Sequence, residues 1–438
     1  MKTDRVKYLI IGNSAGGIGA VEAIREVDKA GTITIISAEP YPAYSRPLIS
    51  EYLAEGCSLE RMLFRPEDFY QVNNINTILG QEVSELNIDK QSVKISNGTI
   101  IVWDKLLLAT GGLPIIPPID GIDLEGVFSF TTLDDAKAID QFLNRRSGKI
   151  NAVVIGGGLI GVSVTEALVK RGVKVSIIEM KDRLLNVILD EELSVREEEA
   201  LNRVGVKIIT GHTIEKVSSY LPGEVNDVIL DDGRQIQCEM VIAAIGVHPR
   251  LTLTADTEIK INRGVVVDRH MTTSCPDVFA CGDTAEAYDF IYDENRLAPI
   301  WPNAYIGGRI AGFNMAGVTN MYPGGTVMNA IKYFGENIVS AGITVPPDDS
   351  YEVLCRKNGR DYRKVILKDG LIVGFAFGSN IELSGIIYNL MKDKVNVMAF
   401  KDSLVSDDFG LALLPEEIWR DKITVPISVL ALEESLAE

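Results

Sequence analysis

The stretch Lys7-Tyr8-Leu9-Ile10-Ile11-Gly12-Asn13-Ser14-Ala15-Gly16-Gly17 decides how this chain folds. Residues 7–11 read as a buried parallel strand, because an apolar run this short is bounded at once by a glycine turn. A helical pattern follows through Ala20, Ala23, Ile24 and Val27, and a second strand at 32–37 ends just before Glu39. The same succession returns at 152–155, then Gly156-Gly157-Gly158-Leu159-Ile160-Gly161, a helix around Ala167 and Leu168, and a strand at 174–178 ending at Glu179. One βαβ unit is used twice.

Outward from these units, Lys105-Leu106-Leu107-Leu108-Ala109-Thr110-Gly111-Gly112 reads as a strand into a glycine turn, with Pro114, Pro117 and Pro118 marking a crossing between domains. Residues 240–246 repeat that signal, and Pro249 closes it. The second unit therefore reads as an insertion into the first. The first resumes through Val278-Phe279-Ala280-Cys281-Gly282-Asp283 and a helix near 306–315; short strands with polar turns follow from about Gly325, at 351–365 and 371–377. The expected architecture is α/β. Two Rossmann-like domains, the first spanning 1–113 and 247–324 and split by the second at 114–246, precede a smaller α+β domain at 325–438.

Two such units imply two dinucleotide sites. A pyrophosphate is doubly charged, and a helix N-terminus offers free N–H groups and partial positive charge. Glycines at the first, third and sixth positions allow a tight turn, close ligand approach and close helix–strand packing. The second copy is complete at Gly156, Gly158 and Gly161; the first is Gly12, Ser14 and Gly17, with serine where the middle glycine belongs. Glu39 and Glu179 end the following strands and suit a ribose hydroxyl; a carboxylate at Glu179 repels a 2′-phosphate and favours NADH over NADPH. The plainer alternative for Glu179 is a solvated strand-end charge.

The bulk composition sets limits. A length of 438 residues calls for two or three domains, and a net charge of −18 makes nucleic acid and anionic membrane poor partners. Five cysteines, Cys57, Cys238, Cys275, Cys281 and Cys355, form no C-x-x-C pair, which argues for a reducing cytoplasm and against a resident iron–sulfur cluster. His212, His248 and His270 lack zinc-like spacing, so no metal site is expected. Residues 1–21 and 152–169 mimic a signal peptide and a membrane span, but both read better as strand, turn and helix.

These motifs, in order and spacing over residues 5–320, resemble the pyridine nucleotide–disulfide oxidoreductases, flavoproteins with two dinucleotide-binding domains. Ala109-Thr110-Gly111 is similar to the family's ATG motif, Ala244-Ile245-Gly246 to its second crossing, and Cys281-Gly282-Asp283 to the motif whose aspartate meets the ribityl chain of FAD. The resemblance implies FAD against Gly12, Ser14, Gly17, Glu39, Arg46, Pro47, Val83, Ala109, Thr110, Gly111, Gly282, Asp283, Trp301 and Ala304. It implies NAD(H) against Gly156, Gly158, Ile160, Gly161, Glu179 and Gly246.

Where disulfide- and peroxide-reducing members place a redox cysteine, this chain has Tyr44, followed by Ser45-Arg46-Pro47. That resembles the cysteine-free branch: rubredoxin and ferredoxin reductases and the flavin module of NADH-dependent nitrite reductases. Cys57 and Cys281 are read as buried small hydrophobes. The branch carries a cation at Arg46, paired in many members with a glutamate where Ser163 stands; an unpartnered Arg46 would raise the flavin potential. No side chain is assigned as a general acid or base, because nicotinamide and flavin carry the chemistry.

The expected activity is NADH-preferring, FAD-dependent oxidoreduction with a separate acceptor, a small electron-transfer protein or an iron–sulfur subunit. An NADH oxidase or peroxidase and an NADH-binding subunit of a larger iron–sulfur complex stay open, as does a homodimer. Arg356, Lys357, Arg360, Arg363, Lys364 and Lys368 form a basic cluster that reads as a dock for an acidic carrier or as a solvated hairpin.

Overall fold

The structure is a computed structural model that describes residues 3–220 and 223–418. It comprises two compact units, Met1–Val187 with Ser194–Val327, and Ile188–Leu193 with Met328–Glu438.

The first unit contains both βαβ repeats, each at the centre of its own sheet. Thr3–Ile11 pairs in parallel with Ile33–Ser37 on one side and Ile100–Leu108 on the other. Ile75–Leu79 and Val278–Ala280 extend the parallel part, and the hairpin Val83–Asn87 with Ser92–Ile95 adds an antiparallel edge. Leu9, Ile10, Ile35, Leu106 and Leu107 are almost wholly buried, as both-face burial of a parallel sheet demands. The second sheet runs Lys207–Thr210, Lys174–Glu179, Asn151–Ile155, Met240–Ala243, Val127–Ser129, all parallel.

The two crossings meet. Gly112–Pro114 pairs antiparallel with Val247–Pro249, placing Leu113 opposite His248. Chain entry to and exit from residues 115–246 are thus zipped together. The late helix begins at Trp301, not near 306, and runs to Met315. Pro302 lies in its first turn, where the missing N–H costs no intrahelical bond. It packs along Ala15–Val27, where the backbones approach so closely that a Cβ on Gly308 would stand 2.0 Å from the Gly16 carbonyl oxygen.

The second unit is an antiparallel sheet ordered Met328–Tyr333, Glu336–Gly342, Leu371–Gly378, Asp361–Lys368, Glu352–Asn358, with the helix Ser384–Lys392 beside it. Phe375 and Phe377 fill its core.

Candidate functional site

The two fingerprints are held by the same backbone contacts. A Cβ on Gly17 would stand 2.1 Å from the Gly12 carbonyl oxygen, and one on Gly161 1.9 Å from that of Gly156. Gly12 and Gly156 have φ of +123° and +101°, and their absent Cβ atoms face the carbonyls of Ala109 and Ala244. First and last glycines are therefore demanded by the fold. The middle one is not: Gly158 has φ −80° and ψ −173°, and a Cβ there would meet no protein atom within 4 Å. Ser14, at φ −130° and ψ −160°, occupies the same extended region without strain. Neither Ser14 nor Gly158 caps its helix with a side chain, which leaves the N-terminal amides to a ligand.

A cavity of about 710 Å³ opens before the first fingerprint, within the usual size of small-molecule and cofactor sites. Gly12, Ser14, Glu39, Arg46, Pro47, Val83, Ala109, Thr110, Gly111, Gly282, Asp283, Trp301 and Ala304 line it. Gly17 does not, consistent with its packing role. Ile160, expected at the other nucleotide, lines the same cavity. Gly156, Gly158, Gly161, Glu179 and Gly246 lie outside it.

Glu39 is bonded through both oxygens. Tyr44 Oη donates to Oε2 at 2.6 Å, and the Arg46 guanidinium pairs with Oε1. Arg46 also donates to the Thr131 carbonyl at 3.1 Å, and the Leu133 N–H donates to Tyr44 Oη at 3.0 Å. Tyr44 is 5% exposed; desolvation above all, then the Glu39 charge, pushes its phenol up and keeps it protonated. Arg46 therefore has a partner in Glu39. The expectation of an unneutralised cation that lifts the flavin potential is corrected: the counter-charge comes from the strand end rather than from position 163.

Asp283 sits in the cavity wall with its carboxyl raised by desolvation against the pull of Arg46. Cys281 is the cavity's thiol. Burial pushes it up to about 12, and its Sγ packs where a Cβ on Gly16 would come within 2.7 Å. Cys57, expected to be buried, is only partly so and bonds the Ser58 carbonyl outside the cavity. Trp301 meets Phe64 edge to face at 5.0 Å between ring centroids.

Sequence reasoning missed Asn13. Its Nδ2 donates to the Tyr41 carbonyl at 3.2 Å and its Oδ1 accepts from Tyr70 Oη at 2.9 Å, fixing the loop that carries Tyr44. Its place in the fingerprint was the available signal. Thr131, Thr132 and Arg250 also line the cavity, and nothing local marks them.

At the second fingerprint Glu179 Oε2 accepts from the Gly157 N–H at 2.6 Å and Oε1 from the Lys181 N–H at 2.8 Å. Among the described residues one set of metal-ligating types comes together, His212 with Asp231 and Asp232. His212 Nδ1 lies 2.8 Å from Asp231, and Arg234 already donates to Asp232 at 2.6 Å. The basic hairpin is internally paired: Arg356 with Asp407, Lys357 with Glu192, Arg360 with Glu336, Lys364 with Asp190, while Arg363 bonds the Ser406 carbonyl.

These features define a two-nucleotide flavoprotein. The cavity fits FAD: glycine turns leave room for a pyrophosphate, and the Glu39 and Asp283 carboxylates line its wall. The chain belongs to the pyridine nucleotide-disulphide oxidoreductases, whose family pattern matches residues 6–308. It is 30% identical over 425 residues to the NADH-dependent phenylglyoxylate dehydrogenase subunit epsilon of Aromatoleum evansii, covering 95% of this chain and 99% of that one. It is 31% identical to the NADH-rubredoxin oxidoreductase of Clostridium acetobutylicum over 77% of this chain and 81% of the other. The fold is that of putidaredoxin reductase in its covalent putidaredoxin complex, with a TM-score of 0.85 at 24% identity over 96% and 99% of the two chains. The chain is an FAD-dependent NAD(P)H oxidoreductase with FAD and NAD(H) as cofactors. No helix among the described residues is long and apolar enough to cross a membrane.

Proposed function

We propose that this chain oxidises NADH and delivers the electrons to a separate redox protein or companion subunit, without a redox-active cysteine of its own. FAD, when bound, takes hydride from nicotinamide and yields electrons to an acceptor. The observation that carries the reading is Tyr44: a buried phenol, locked on Glu39 and Leu133, stands where relatives that reduce disulfides hold a thiol. The cavity's one cysteine, Cys281, is held as a neutral thiol. With no thiol to store electrons at the site, the acceptor lies outside the chain.

In this reading residues 1–113 and 247–324 hold FAD. Glu39 and Asp283 accept from its sugar hydroxyls, the helix Ala15–Val27 faces its pyrophosphate, and Trp301 and Arg46 bound its far end. Residues 114–246 hold NAD(H) with Glu179 toward the ribose, and Ile160 faces the meeting place of the two rings. Residues 325–438 would serve the partner; 419–438 lie outside the described residues. A companion-subunit setting is favoured by the match over 99% of the length of a relative that is itself named a subunit.

Anaerobic titration of the yellow protein with NADH tests this. Full bleaching near one equivalent, without a thiolate-to-flavin charge-transfer band, is the expected result. Two equivalents or a persistent band would reveal a redox thiol and overturn the reading.

A further inference from the structure

The carboxylate best placed for the FAD ribose is also the hub of a clasp between the two nucleotide-binding parts of the first unit. Glu39 takes one bond on each oxygen, from Tyr44 and from Arg46. Both donors are themselves bonded to the segment that opens the helix Leu133–Arg145: Tyr44 Oη accepts from the Leu133 N–H, and Arg46 donates to the Thr131 carbonyl. A second arm lies alongside, where Tyr41 Oη donates to Asp134 Oδ1 at 2.5 Å and Lys137 Nζ lies 4.0 Å from the Tyr41 ring centroid.

The receiving segment is stiff. Asp135 accepts from the N–H groups of Thr131 and Thr132 at 2.7 and 2.9 Å and from Ser129 Oγ at 3.0 Å, closing a capping box with Thr132. Ser129 ends the strand Val127–Ser129, which pairs with Met240–Ala243, which pairs with Asn151–Ile155, the strand that enters the second fingerprint. A continuous run of hydrogen bonds thus links the second fingerprint to the orientation of the Glu39 carboxylate.

We infer that Tyr44 is a positioning residue that couples the two nucleotide sites, so that occupancy of the second fingerprint strengthens the hold of Glu39 on FAD. The inference rests on the reading that FAD occupies the cavity before Gly12. Coupling of this kind is reciprocal and commonly amounts to about 5–150-fold in affinity. Tyr44→Phe keeps the ring in its buried place and removes only the hydroxyl that joins Glu39 to Leu133.

The test is the rate at which diluted holoenzyme releases flavin, read as the rise in flavin fluorescence, with and without saturating NAD⁺, which cannot reduce it. In the wild type NAD⁺ should slow release at least about fivefold, in line with that range. In Tyr44→Phe the NAD⁺ effect should fall below about twofold, and Tyr41→Phe, which cuts only the second arm, should lie between. A merely structural role would speed release in both conditions and leave the NAD⁺ ratio intact. An equal ratio in wild type and Tyr44→Phe, or no NAD⁺ effect in the wild type, overturns the inference. A chain that purifies colourless and takes up no added FAD would instead remove the reading beneath it.

Discussion

Glu179 turns back onto its own fingerprint: its Oε2 accepts from the Gly157 N–H at 2.6 Å, at the foot of the turn the carboxylate would serve. The charge that would meet a ribose is thereby aimed before any ligand arrives. Such preorganisation limits the ordering cost of binding.

Glu179→Ala should accordingly raise KM for NADH about tenfold, the size of one lost charge-assisted hydrogen bond. The NADH-over-NADPH preference should narrow in parallel, because the repulsion of a 2′-phosphate goes with the carboxylate. Steady-state kcat/KM for both nucleotides checks this; an unchanged ratio would mean that Glu179 is only a strand-end charge.

Gly161→Ala and Gly158→Ala separate what the fold needs from what the ligand needs. The first puts a Cβ 1.9 Å from the Gly156 carbonyl oxygen and should destabilise the protein by about 1–3 kcal/mol with loss of reduction by NADH. The second meets no protein atom within 4 Å and should leave the melting temperature unchanged while weakening NADH binding. Thermal melts paired with NADH titrations distinguish them.

The basic hairpin should behave as structure. Lys364 and Asp190 are mostly buried, 3.0 Å apart, and Tyr362 Oη also donates to Asp190 at 2.6 Å. Lys364→Ala strands a buried carboxylate and should cost about 3–5 kcal/mol. Arg356→Ala and Lys357→Ala remove exposed pairs and should cost about 0–1 kcal/mol each. Denaturant unfolding gives the ranking, and salt-dependent loss of electron delivery in the two exposed variants would support the docking reading.

Asp28 supplies a pH signature. Its carboxylate accepts from Lys7 Nζ at 2.7 Å, the Gly31 N–H at 2.7 Å and Tyr8 Oη at 2.9 Å, and these bonds hold it well below the usual carboxylate range. A depressed folded-state value means the stabilisation is complete above the unfolded pKa of about 3.9 and is lost as pH falls through the folded one. Asp28→Asn should therefore cost about 2 kcal/mol at pH 7 and progressively less below about pH 4. A pH-independent difference would show that the charge contributes nothing.

Reading the chain from its residues alone reached the two glycine fingerprints because they are made of local geometry. Gly12, Gly17, Gly156 and Gly161 are forced by backbone contacts that recur at fixed spacing, and Glu39 and Glu179 follow at the ends of the next strands. The helix expected near 306 begins at Trp301, because Pro302 is tolerated in a first turn.

Sequence by itself determined the two βαβ units, since periodicity and glycine spacing act over a few residues, and the resemblance its motifs carry implied the family and the cofactors. Only the tertiary structure decided who partners whom across long separations. Arg46 is neutralised by Glu39 and tied to Thr131, 85 positions away; Tyr44 is bonded to Leu133, 89 away; and Asp190 takes the charge of Lys364, 174 away. A cation or a phenol looks the same in sequence whether paired or free, and its chemistry is set by the neighbour that the fold brings to it.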